Sequence, residues 1–261
     1  MFRVKNPVFA HMTQSVNQLD TFNSELGKSI EQLYEVFAKY PLNLSMDGSP
    51  LFEEKIAQWN RLVAANPLRE LSVDDLRIYH FKTMTTWGEV NDFKHFLPRI
   101  FELLAELPID FDEWVALNKL NYGKYTSWPI PEQVAVQRFL MAFWKKLLQE
   151  PSDITDAYFE GYFPAIVNVY PHFEQLLNAW LEASNKHSTQ RLAEYVFRNE
   201  DEVLKGRLTG YEEMPHQGKL FLKWLRKPAV LQKLKQATSS ESHPYLNLEL
   251  IPILQQLEKP L

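Results

Sequence analysis

Apolar residues recur at intervals of three and four along nearly the whole chain. That spacing lays them on one face of a 3.6-residue helix. Leu19, Phe22, Leu26, Ile30, Leu33 and Phe37 form one stripe, and Phe52, Ile56, Trp59 and Val63 a second. Leu76, Tyr79, Thr83 and Trp87 continue the pattern, as do Val136, Phe139, Leu140, Phe143 and Leu147. Phe173, Leu176, Leu177, Trp180 and Leu181 follow, then a shorter stripe of Leu192, Tyr195, Val196 and Val203. Leu220, Trp224 and Leu225 lead into Pro228, with Val230, Leu231 and Leu234 beyond it. The alternating period of a strand is almost absent. Ile166–Tyr170 is short and apolar enough for either state, and its neighbours Tyr158, Phe159 and Phe163 favour a helix.

The ends of the stripes carry their own signals. Ser72 suits a helix N-cap, with Asp75 as the acid three residues on. Gly88 is placed to end that helix, near Trp87, in a left-handed conformation. The next full helix is expected to start, or to kink, at Pro98. Pro131 suits a first helical turn, where its missing N–H costs nothing. The pattern predicts an all-α protein, an irregular multi-helix bundle of about nine to eleven helices joined by short loops. It reads as a single all-helical domain over 1–261, with a candidate subdivision near 125–130. No fixed-period repeat is visible, so a regular solenoid is not expected.

Composition narrows the chemistry. The 261 residues are 45% hydrophobic, enough for a sizeable core without covalent staples. With no cysteine, disulfides, zinc–thiolate sites and thiol nucleophiles are excluded. The opening segment MFRVKNPVFAHMTQ has no apolar h-region, and no stretch approaches the length of a membrane span, so a cytoplasmic location is expected. A net charge of −5 weighs against a nucleic-acid partner, which calls for a basic footprint. The charge is unevenly spread. Residues 1–120 hold 12 Lys/Arg and 17 Asp/Glu, a net −5, whereas residues 121–261 hold 16 of each. Arg207 to Lys235 has seven basic residues against Glu212 and Glu213. Lys219–Gln236 alternates basic and apolar residues, which suits either partner or membrane contact, or a core helix pair with a solvated basic face; Pro228 favours the second.

Motifs of known chemistry are missing. Gly218-Lys219 resembles the end of a phosphate loop, but Leu220 replaces the magnesium-binding hydroxyl and Glu213 the first glycine. There is no G-x-S-x-G elbow and no H-E-x-x-H. Asp92 and His95 are three apart and share a helical face, with His80 upstream as a third candidate ligand. Metal sites usually declare three or four ligands, so no metal and no cofactor are expected. The segment 79–99 is the densest unusual stretch. Read as an enzyme pocket it offers His80, Asp92, Lys94 and His95, with His95 as general base. Read as a helix corner it packs Trp87, Phe93 and Phe96 into the core while Asp92 caps. Asp110, Asp112 and Glu113 cluster beside Trp114, either as an acidic contact surface for a protein partner or as the start of a helix.

The stretch TMTTWGEVNDFKHFLPRIFELL, residues 83–104, together with LYEVFAKYPL, residues 33–42, resembles the signature of an uncharacterised all-helical bacterial protein family. Where that family often carries a cysteine-rich loop, this chain has Gly48-Ser49-Pro50-Leu51, so no thiol or thiol-metal role carries over. The resemblance covers well under half the chain. It implies a bacterial cytoplasmic protein and no established activity. The combined expectation is a protein-binding protein, most concretely an immunity protein that neutralises a cognate basic toxin domain by forming a complex. The alternatives are the enzyme around His80, Asp92 and His95, or a helical scaffold or regulator.

Overall fold

The computed structural model describes residues 24–107, 111–208, 210–238 and 244–259. Among the described residues the chain is all-helical, and β-pairing is confined to isolated bridges. In chain order the helices are α1 (24–37), α2 (Glu53–Val63), α3 (Val73–Lys82), α4 (Val90–Leu104), α5 (Glu113–Tyr122), α6 (Ile130–Gln149) and α7 (Asp153–Val169). They continue with α8 (Phe173–Glu182), α9 (Lys186–Arg198), α10 (Glu200–Leu204), α11 (Pro215–Leu225), α12 (Pro228–Thr238) and α13 (Pro244–Leu257). Thirteen described helices exceed the expected nine to eleven, partly because the 192–203 stripe is two elements. Asn199, at φ −112° and ψ 24°, interrupts it between α9 and α10.

The 79–99 region differs from its expectation. Helix α3 stops at Lys82, and α4 already starts at Val90, so Pro98 lies inside a helix. Two local causes are visible. Met84 and Gly88 take left-handed φ values of 58° and 68°, folding residues 83–88 into a turn in which Thr83 and Trp87 bridge. The Asp92 carboxylate then accepts the Glu89 backbone N–H at 2.8 Å, which nucleates α4 well before the proline. Burial of Phe93, Phe96, Leu97, Ile100 and Phe101 along α4 outweighs the backbone bond that Pro98 forgoes. The Ser72 cap forms as expected, with a reciprocal bond to Asp75.

The described chain divides into two compact units. The N-terminal unit comprises 27–141 and 161–170. Its core holds Trp87, 1% exposed, in an aromatic cluster with Trp59 at 5.4 Å and Tyr79 at 5.1 Å; Tyr79 in turn meets Phe96 at 4.4 Å. Phe101 stacks on Phe139, and Tyr162 donates to the Leu104 carbonyl. Lys119 is buried and donates from Nζ to the Phe81 and Thr83 carbonyls, which the end of α3 leaves without helical partners.

The C-terminal unit comprises 24–26, 142–160 and the described residues from 171 onward. Trp180 is its hub, fully buried, with Trp144 and Phe159 at 5.3 Å and Trp224 at 6.1 Å. Two of the three indole N–H groups are satisfied by backbone, Trp144 donating to Leu176 and Trp180 to Ser188, while that of Trp224 is buried without a partner. Arg191, 2% exposed, donates to the Leu147 and Glu150 carbonyls at the end of α6 and pairs with Asp156 at 2.7 Å. Lys233 donates to the Ala183 carbonyl at the end of α8. Helix α12 packs against α9 and α13.

Truncating Trp87 removes a large ring from a closed aromatic cluster and strands a hydrogen-bonded amide. Trp87→Ala is expected to lower unfolding free energy by about 3–5 kcal/mol, read from denaturant midpoints at constant m-value.

Candidate functional site

The segment 41–51, between α1 and the short 3₁₀ turn Pro50–Phe52, is fixed from behind by backbone and by one buried amide. Ser49 N–H donates to the Thr86 carbonyl and Gly88 N–H to the Asp47 carbonyl, both at 2.8 Å. Asn60 on α2 donates from Nδ2 to the Met46 carbonyl at 3.0 Å, and its Oδ1 accepts the Trp87 indole N–H at 2.9 Å. One side chain thus ties the segment, the helix and the turn together. Gly48 is required where the strands of chain cross. A Cβ there would stand 2.7 Å from the Thr86 carbonyl oxygen, a backbone atom with little freedom to move.

This clamp raises a ridge between two grooves. One, of about 770 Å³, is lined by residues that include Leu44, Asp47, Glu53, Ile56 and Arg61. The other, of about 560 Å³, is lined by residues that include Asp47, Ser49, Thr86, Glu89, Asn91 and Tyr122. Leu44 and Leu51 stand on the ridge at 67% and 88% exposure, and Tyr122 at 58%. Asp47, Glu53 and Glu89 make no ion pair among the described residues.

Beneath, the end of α1 meets α4 and α6 through a buried charge cluster. Glu132 is wholly buried and accepts at Oε1 from Lys39 (2.6 Å) and from the Tyr40 hydroxyl (2.8 Å). Its Oε2 meets Lys94 at 2.8 Å, and Lys94 also donates to the Tyr40 hydroxyl. The Lys94 ammonium lies 4.3 Å from the Trp128 ring centroid, a cation–π contact. Burial alone would raise the Glu132 pKa, but the bonds from Lys39, Lys94 and Tyr40 outweigh it and hold the carboxyl below its usual range.

The residues that the sequence offers as an enzyme pocket are assigned to separate partners. Asp92 accepts from Asn43 and from the Glu89 N–H, Lys94 serves Glu132, and His95 Nδ1 bonds the Tyr40 carbonyl at 2.9 Å. His80 is 1% exposed, stacked 4.6 Å from Phe111, with Nε2 donating to the Asp112 carbonyl. Its Nδ1 is buried without a partner, and burial pushes its pKa down to about 4, so the ring is neutral near pH 7. Tyr40 joins Lys94 and His95, but none of the four candidates lines either groove. Among the described residues no group of three or more His, Cys, Asp or Glu is arranged to hold a metal ion.

The acidic candidates are placed as follows. Asp110 lies outside the described residues. Asp112 is the N-cap of α5, its carboxylate accepting the Val115 N–H at 2.8 Å. Glu113 is half-buried, its carboxyl pushed up in pKa by burial, and Trp114 is buried. The ridge residues were not singled out as a site by sequence. The 42–51 loop is legible from Asp47, Gly48 and Pro50, but Asn60 and Glu132 are lone polar residues beside apolar stripes and carry no signal of their partners. Among the described residues no helix is long and apolar enough to cross a membrane. Comparison of the chain with protein-family models, curated proteins and solved structures finds no match.

The charge cluster generates a pH prediction. Because the Glu132 pKa is lowered on folding, its stabilisation is present above the unfolded value of about 4.3 and is lost as pH falls through the folded value. Glu132→Gln should cost about 3 kcal/mol at pH 7, by leaving Lys94 buried beside a neutral group. That gap between wild type and variant should narrow sharply once the pH falls below the Glu132 folded pKa, as denaturant titrations at neutral and acid pH will show.

Proposed function

We propose that the protein acts by binding another protein, most concretely as a cytoplasmic immunity protein that covers a basic toxin domain. The observation that carries this reading is the ridge of the N-terminal unit. Leu44 and Leu51 are large, apolar and largely exposed on either side of a stretch clamped by backbone bonds at Asp47 and Ser49. A pre-organised loop loses little entropy on binding, and exposed apolar surface rimmed by polar residues marks a site of protein contact. The charge around them supports a basic partner. Asp47, Glu53 and Glu89 line the two grooves, against Arg61 as the one basic lining residue. Complementary charge speeds encounter and selects the partner. The enzyme reading draws no comparable support, since His80, Asp92, Lys94 and His95 are engaged in the fold and line neither groove.

The test is co-expression with a toxin encoded beside the gene, scored by growth and by co-purification. Wild-type chain is expected to protect and to form a complex whose association slows as salt rises. The double variant Leu44→Glu, Leu51→Glu should keep its melting temperature and weaken the complex at least about 30-fold, the loss expected of one hot spot. Wild type that neither protects nor binds, or a double variant that protects as well as wild type, overturns the proposal.

A further inference from the structure

The C-terminal unit carries a surface of opposite character. From Met214 to Thr238 the sequence has six basic residues and no acid. Two of the six are used internally, Lys233 on the Ala183 carbonyl and Lys235 on Glu258. The neighbouring Lys205 and Arg207 both pair with Glu202. Lys219, Lys223 and Lys227 are exposed and have no ion-pair partner among the described residues. Four-residue spacing places them in a row along α11 and past its end. Arg226 adjoins that row, and its Nε and Nη1 are buried without an acceptor. Turning this guanidinium toward an incoming oxyanion would therefore give up no existing bond.

We propose that the outer face of α11 and the α11–α12 corner bind an extended acidic segment of a partner protein. The charge of the row requires an anion, and its surroundings select which kind. The apolar residues of α11 that pack inward, Phe221, Trp224 and Leu225, are buried, so the helix has no apolar face to insert into a bilayer. Helix α10, packed against α11, carries Glu200 and Asp201 in its first turn. Those acids repel a broad polyanion such as duplex DNA or an anionic membrane, whereas a single strand of peptide can follow one row. Distances agree. Lysines four apart on a helix are separated by about 6 Å of rise. Alternate residues of an extended peptide are about 6.7 Å apart, so carboxylates at every second position come into register with the row. Arg226 then offers a fork geometry that suits a terminal carboxylate of the series. The proposal draws on residues of the C-terminal unit alone and does not rest on the ridge of the N-terminal unit.

The experiment uses the full chain and a fluorescein-labelled peptide of alternating Glu and Ala, followed by fluorescence anisotropy at low and physiological salt. A DNA duplex and phosphatidylcholine–phosphatidylserine vesicles serve as competing probes. Peptide binding is expected at low salt, to weaken as salt rises and to exceed binding of either competitor. The triple variant Lys219→Gln, Lys223→Gln, Lys227→Gln, checked for unchanged helicity, should bind about tenfold more weakly, as three exposed charge contacts together imply. The control Lys186→Gln, Lys259→Gln removes two exposed lysines elsewhere on the same unit and should bind as wild type. Absence of peptide binding at low salt overturns the proposal. So does an equal loss in the control, or tighter binding of DNA or vesicles.

Discussion

Every helix ends in carbonyl groups that its own hydrogen bonds do not reach, and a core built almost wholly from helices must satisfy them all. Glycine in a left-handed cap is the common answer, yet the whole chain has eight glycines for thirteen described helices. Here buried cations take the role. Lys119 closes the end of α3, Arg191 the end of α6 and Lys233 the end of α8, while Asn185 reaches Leu148 on α6. The charge sits at the negative end of the helix dipole, which offsets part of its desolvation. Burial pulls the Lys119 and Lys233 ammonium groups down to about 8, which leaves both charged near neutral pH. Each such bond ties one helix to the end of another far away in sequence, so the packing order of each unit is written into its helix ends.

The ridge depends on the same rule applied to a loop. Residues 46–49 have backbone groups that no helix satisfies, and Asn60, Thr86 and Gly88 supply the partners. The middle of the loop is therefore tied to the rest of its unit by tertiary hydrogen bonds, although it lies at the surface. Leu44 and Leu51 stand exposed on either side of this clamped stretch, an arrangement that suits a contact surface. Glu132 extends the constraint inward. Its carboxylate holds the end of α1 through Lys39 and Tyr40, and through Lys94 it holds α4, the helix that carries Asp92 behind Gly88.

Periodicity told most of the fold. Leu33, Phe37, Trp59, Val63, Leu76, Tyr79, Phe139, Leu147, Leu176 and Trp180 are all buried, because a stripe at helical spacing has to face a core. The Ser72–Asp75 box was legible because both partners lie within one turn. Misreadings arose where a distant partner overrides a local rule. Pro98 looks like a boundary until the aromatic packing of α4 is known. Val203 continues a stripe that Asn199 breaks. Asp112 reads from sequence either as surface charge or as the start of a helix, and the bond from the Val115 N–H shows it capping α5. The ridge escaped notice for a plainer reason: exposed leucines in a loop carry no period, and their order comes from Asn60 and Thr86, far off in sequence.

The crossing at Gly48 bears on how such a chain changes over time. A side chain at that position meets the Thr86 carbonyl oxygen and the Ile56 side chain at 2.7 Å, so the clamp accepts glycine alone without being rebuilt. The indole of Trp87 is fixed with equal stringency, since its N–H is the partner of Asn60. Loop residues that only face solvent, such as Leu44 and Leu51, are under no such restraint from folding. Divergent descendants of this fold should therefore keep the glycine, the asparagine and the tryptophan as a set while the apolar tips drift with whatever they touch. A search keyed to those three positions and their spacing, rather than to overall similarity, is the sensitive way to find its kin.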